Sequence, residues 1–248
     1  MNKAIFLVLG LGMIPAAAYA LQAKGDELTD PLEILKKADA AAKAVESVKY
    51  KVSYKGRGAA GAQAPTIEGT VLMDGWFESA PDKFLCEANV KQPGSSEVRI
   101  ITAGSDTRTF YVIDHQAKVA YVDVFPRVMG SIGRPALSLR MVEFVHPSPF
   151  SHEINSRKQE LRGTKKIGGE DCYEVYVVYT NRLLQAIWYF SKKNFLPRSV
   201  IRRQSGPSGE RLEEQWTLTD VVVDPDVGKD PFKLRLPAGY TQSHDPAP

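Results

Sequence analysis

The segment ELRGTKKIGGEDCYEVYVVYTNRLLQAIWYFSKKNFLPRSVIRRQ, Glu160 to Gln204, decides the architecture. It holds four strand-like runs, at 160–167, 172–180, 184–191 and 198–204. Gly168-Gly169-Glu170-Asp171 joins the first two, and Lys192 to Pro197 joins the last two. Joints this short connect antiparallel neighbours, whereas parallel strands need a crossover of about a dozen residues. The pattern continues in both directions. Downstream, 211–223 reads as a long strand and 232–236 as a short last one. Upstream, further runs lie at about 66–74, 82–91, 97–103, 107–113 and 118–125, with Asp114-His115-Gln116-Ala117 as a hairpin turn. Val48, Tyr50, Val52 and Tyr54 alternate with Lys49, Lys51, Ser53 and Lys55, the period of a half-buried strand. The expected fold is therefore mostly β (α+β), a strongly curved antiparallel sheet.

Curvature is read from the second face. Tyr173, Val175, Val177 and Tyr179 stand opposite Cys172, Tyr176 and Val178, so one strand is apolar on both sides. A sheet with one solvated face does not need that. Either helices cover the sheet, or its concave side holds an apolar ligand cavity. For the second case the candidate lining is Tyr50, Val52, Tyr54, Trp76, Phe110, Val112, Tyr121, Met141, Phe144, Tyr176, Trp188, Phe190 and Trp216.

Two helical regions break the strand pattern. Asp30-Pro31-Leu32-Glu33 is a helix start, with a capping Asp and a first-turn Pro. Apolar residues then recur three and four apart, predicting a helix over 31–47. Residues 126–159 form an excursion between strands, with a short helix expected at 136–146 that Pro147 and Pro149 stop. An insertion of this length is either a lid-like element or a plug for one end of the sheet.

The first twenty residues read as an export signal: Lys3, an apolar run from Ala4 to Ile14, and the cleavage motif Ala18-Tyr19-Ala20. The expected organisation is a signal peptide at 1–20 and one domain over 21–248, in a secreted and most plainly periplasmic protein. In an oxidising compartment, Cys86 and Cys172 can form a disulfide closing about 87 residues, which chain entropy values at about 4–5 kcal/mol. Two separately buried thiols fit the same strand positions.

The chain also resembles a family. An N-terminal helix leads into Val48 to Tyr54. Ile187-Trp188-Tyr189-Phe190-Ser191-Lys192-Lys193-Asn194-Phe195-Leu196-Pro197-Arg198-Ser199-Val200 is similar to the strand, turn, leucine-proline, strand hairpin of the periplasmic lipoprotein-carrier superfamily that includes LolA, LolB and RseB. Gly169 to Val175 and the tail Asp230 to Tyr240 are similar to flanking strands of such proteins. The resemblance implies a half-open β-barrel of about eleven strands with helices as a lid. It implies a lipid or lipid-modified protein as partner, held in the concave apolar face. For the RseB-like branch it implies a cell-envelope protein partner instead.

Chemistry is sparse. The chain is 43% hydrophobic and 25% charged, with a formal charge of +3, too balanced to predict nucleic-acid binding. No Walker loop, dinucleotide fingerprint, HExxH, GxSxG or CxxC is read, so a binding protein rather than an enzyme is expected, with no catalytic residues and no cofactor. Glu143, His146, His152 and Glu153 lie close in sequence, but the prolines between them argue for solvated helix ends and against a metal site. Asp220, Asp224, Asp226 and Asp230 read as a solvated turn. His115 beside Asp114 has no nucleophile to serve. Arg198, Arg202, Arg203 and Arg211 read as an exposed basic strip.

Overall fold

A computed structural model describes residues 27–75, 83–181, 183–206 and 211–245. The export signal and Trp76 lie outside the described residues. Helix α1 (Pro31–Lys43) starts as its sequence demands, since the Asp30 carboxylate accepts from the Leu32 N–H at 2.9 Å. It stops four residues short of the expected end at 47. Asp224 accepts from the N–H groups of Glu46 and Ser47, at 3.0 and 2.8 Å, and its own N–H donates to Ser47. That clamp starts the first strand where the helical pattern would have continued.

The strands are β1 (Ser47–Arg57), β2 (Thr66–Asp74), β3 (Lys83–Lys91), β4 (Val98–Ser105), β5 (Phe110–Asp114), β6 (Val119–Asp123), β7 (Lys158–Ile167), β8 (Glu170–Val178), β9 (Leu184–Ser191), β10 (Pro197–Ser205), β11 (Arg211–Val223) and β12 (Thr241–Ser243). They form one sheet in the order β12-β6-β5-β4-β3-β2-β1-β11-β10-β9-β8-β7. Two meanders, β1 to β6 and β7 to β11, are thus joined by one long-range pairing. In it Tyr54 lies opposite Trp216 and Val52 opposite Leu218. The sheet does not close, and the half-open barrel is the architecture observed. The β7 edge carries Lys158, Lys165 and Lys166 and a bulge between Leu161 and Gly163, features that discourage edge pairing. Gly168 and Gly169, both at positive φ, make the tight turn into β8.

The strand expected at 232–236 is not formed. Pro231 and Pro237 bracket it and cannot donate to a ladder. This stretch instead covers the outer face of β5, where the Tyr111 hydroxyl donates to the Phe232 carbonyl at 3.0 Å. The last strand is β12, parallel to β6.

The insertion comprises a 3-10 turn at Pro126–Met129, helix α2 (Gly130–Leu137), a second 3-10 turn at Val142–Phe144 and a one-turn helix at Ser151–Ile154. The helix expected at 136–146 is absent because the sheet takes its backbone groups. The Tyr50 hydroxyl donates to the Leu139 carbonyl at 3.2 Å and accepts from the Met141 N–H at 2.7 Å. The Trp216 indole donates to the Ser138 carbonyl at 2.7 Å. At Ser138, Leu139 and Met141 these tertiary bonds replace helical ones. The insertion and α1 fill the concave face. Ile34, Leu35, Leu139, Phe150, Trp188 and Phe190 are fully buried there in one continuous core. The convex face carries two smaller clusters, one around Tyr111 and Val122, the other around Cys172, Ile187, Tyr189 and Ile201.

Candidate functional site

The structure brings ten of the expected lining residues together. Tyr50, Val52, Tyr54, Phe110, Val112, Met141, Phe144, Trp188, Phe190 and Trp216 all face the concave core, and Tyr121 is half-buried against it. They pack against the helices and the insertion. Tyr176 is on the other side of the sheet, in the convex cluster with Ile187. Period-two alternation puts it there, one residue out of step with Val175 and Val177.

A pocket opens where this filling stops. It has a volume of about 600 Å³ and lies between the insertion and the ends of β8 to β11. Glu143, His152, Glu153 and Asn155 form the insertion side, and Tyr179, Leu184, Arg202, Leu212 and Glu214 the sheet side. None of the thirteen residues expected from the sequence lines it.

Arg202 organises the floor. It follows Val200 on the inner side of β10, while Arg203 points outward and pairs with Glu213 at 2.6 Å. The Arg202 guanidinium lies 5.7 Å from the Trp188 ring and 5.2 Å from the Trp216 ring, within cation–π range. It donates to Glu143 Oε1 at 2.6 Å. Burial pushes the Glu143 carboxyl above its ordinary pKa, and the Arg202 charge opposes the shift without cancelling it. Glu143 Oε2 is buried and has no hydrogen-bond partner. Around it stand two more acids, each with one phenol: Tyr179 donates to Glu153 at 2.6 Å and Tyr54 to Glu214 at 2.7 Å. Burial raises both phenol pKa values and the adjacent carboxylates raise them further.

Glu143 and Glu153 were expected as solvated helix ends. They are only 8% and 5% exposed. The 3-10 turn and the one-turn helix that carry them pack onto the sheet, and Arg202 and Tyr179 compensate the buried carboxylates. His146 stays outside, accepting from the Ser148 N–H at 3.0 Å, while His152 reaches the pocket rim. The arginine strip is likewise divided by the pleat. Arg198 is 7% exposed and bound to Glu170, Arg202 enters the pocket, and Arg203 stays on the convex side. Among the described residues no three His, Cys, Asp or Glu side chains converge as a metal site.

One motif escaped the sequence reading. Gly56-Arg57-Gly58-Ala59-Ala60-Gly61 has the GxGxxG spacing of a dinucleotide loop. Here it is the tip between antiparallel β1 and β2, followed by a helix of four residues, not a βαβ crossover. Its glycines serve packing, since a Cβ on Gly56 would stand 2.2 Å from the Gly61 carbonyl oxygen.

The disulfide between Cys86 and Cys172 is not formed, and both residues are buried free thiols. Cys86 belongs to the concave core and Cys172 to the convex cluster. Their strands are six steps apart in the sheet, roughly 29 Å along it at the usual strand spacing. No bridge spans that distance or crosses a sheet. Burial pushes the Cys86 thiol up to about 12 and the Cys172 thiol up to about 11. Intact mass is therefore expected to be the same with and without reductant, and both thiols to alkylate only after denaturation. A two-dalton gain on reduction of the purified monomer would overturn this assignment.

The fold and this site together define a half-open barrel that is filled at its centre and hollow at one end. No family model matches the chain, and no curated protein does. Among solved structures the chain is similar to MucB, at 13% identity over 83% of this chain and 63% of that one, with a TM-score of 0.48. MucB has also been solved in complex with MucA from Pseudomonas aeruginosa. The chain is similar to LprF from Mycobacterium bovis, at 11% identity over 86% and 99% of the two chains, with a TM-score of 0.49. It is also similar to a LolA superfamily protein from Nitrosomonas europaea, at 14% identity over 84% and 99%, with a TM-score of 0.37. The chain thus spans less than two thirds of MucB.

Proposed function

We propose that this is an exported binding protein that holds one small amphiphile in the pocket at the open end of its half-barrel, without chemical turnover. The observation that carries the reading is the pocket of about 600 Å³ between the insertion and the sheet. That volume falls within the roughly 300–1,000 Å³ of small-molecule sites. Leu184 and Leu212 suit an apolar tail, and the charged rim suits a polar head. Export to the periplasm is supported by the Lys3 to Ala20 segment. Among the described residues, no helix is long and apolar enough to cross a membrane.

Native mass spectrometry of protein prepared without detergent tests this. The expected spectrum contains a bound mass that organic extraction removes. An apo mass that takes up no single-chain amphiphile on mixing would refute the reading.

A further inference from the structure

The pocket's charge selects its ligand. Three carboxylates, Glu143, Glu153 and Glu214, face it from both walls, with His152 and Arg203 also on its lining, against the inward guanidinium of Arg202. That guanidinium already donates to Glu143, and Arg203 is committed to Glu213 on the far side of the sheet. Glu153 and Glu214 each receive one phenol hydroxyl. Glu143 is only 8% exposed, and its Oε2 is buried without a donor. Buried acceptors in folded proteins are almost always satisfied, and leaving one orphaned costs roughly 1–3 kcal/mol. Asn155, Asn181 and Gln204 add amides that can both donate and accept, so what the wall has to spare is negative charge. A carboxylate or phosphate head would add a fourth anion to it. An alcohol would offer one donor and no charge. An ammonium head has three N–H donors and a positive charge, and so matches what the wall leaves open.

We infer that the pocket takes an amphiphile with a primary ammonium head and an apolar tail, the head lying between Glu143 and Glu153 and the tail along Leu184 and Leu212. This inference rests on the binding-pocket reading above and names the ligand class for it. Arg202 then acts as a positioning residue. It orients Glu143 and, held against Trp188 and Trp216, keeps its own charge on the pocket floor.

Titration calorimetry at neutral pH with dodecylamine, dodecanol and dodecanoate, each below its micelle concentration or solubility limit, separates head from tail. The amine is expected to bind at least about tenfold tighter than the carboxylate, the equivalent of one charge-assisted hydrogen bond. Glu143→Gln and Glu153→Gln should each remove most of the preference for the amine over the carboxylate. Glu214→Gln provides a third, half-buried position if either of the first two variants loses its native circular dichroism. Leu212→Trp, which fills the pocket without altering charge, should weaken all three ligands together. Equal or tighter binding of dodecanoate overturns the ammonium assignment and leaves the pocket reading standing. So does an amine preference that survives the glutamine variants. Failure of all three probes to bind overturns the pocket reading itself.

Discussion

Replacing Phe150 with alanine is expected to destabilise the protein by about 3–5 kcal/mol, the range for deleting a buried aromatic ring from a core. Phe150 lies in the insertion and is fully buried. Its ring meets Trp188 and Phe190 edge-on, with centroids 5.1 Å away in both cases. Those two rings stack on each other at 5.8 Å. The Phe150 N–H also donates to Asp39 of α1 at 3.1 Å, so the residue ties insertion, helix and sheet together. A smaller side chain leaves a cavity that three rigid neighbours cannot close, and adds the lost edge-to-face contacts to the transfer cost. Urea denaturation reads this as a fall in midpoint at constant slope. A change below about 1 kcal/mol would mean that the concave face is less tightly filled than its burial implies.

Arg198→Met is expected to cost about 1.5–3 kcal/mol, for a different reason: it takes the charged hydrogen-bond donor away from half-buried Glu170. Arg198 Nε donates to Glu170 Oε2 at 2.6 Å, and the Ser191 hydroxyl donates to Glu170 Oε1. Burial alone would raise the Glu170 pKa. The Ser191 and Arg198 hydrogen bonds and the Arg198 charge outweigh it, and the carboxyl lies below its ordinary value. A depressed folded pKa contributes stability that is present above the unfolded value, about 4.3, and lost as pH falls through the lower folded one. Wild-type stability should thus drop below about pH 4, and Glu170→Gln should flatten that drop. The double variant Arg198→Met with Glu170→Met should recover much of the single loss, because an apolar pair needs no compensation. A double variant as unstable as the sum of the two single ones would deny the coupling.

The strand ladder was legible in the sequence. The ranges 66–74, 184–191 and 211–223 match β2, β9 and β11 as observed. Such strands carry their own evidence, since period-two alternation and turn residues act over a few positions. The inward set around Tyr50, Trp188 and Trp216 was legible for the same reason. The pocket was not. Its wall comes from Glu143 and Glu153, which in sequence look like solvated acids flanked by prolines. Only Arg202 on the opposite wall and Tyr179 make their burial tolerable. An arginine at an inward position of β10, beside inward Trp188 and Trp216, was a signal that could have located the floor.

Local sequence determined the strands, their hairpin order, the capped start of α1 and the alternation that assigns each side chain to a face. Tertiary structure alone decided what covers each face. Tyr50 and Trp216 break the insertion's helix by claiming the backbone of Ser138, Leu139 and Met141. The β1–β11 pairing joins two meanders whose strands are more than a hundred and fifty residues apart in places. Cys86 and Cys172, equivalent by strand pattern, end on opposite faces and stay apart. Periodicity is a property of neighbouring residues, whereas the joining of the two meanders, burial of Glu143 and the hollow left beside Arg202 depend on contacts between distant ones. Those contacts exist only once the chain has folded.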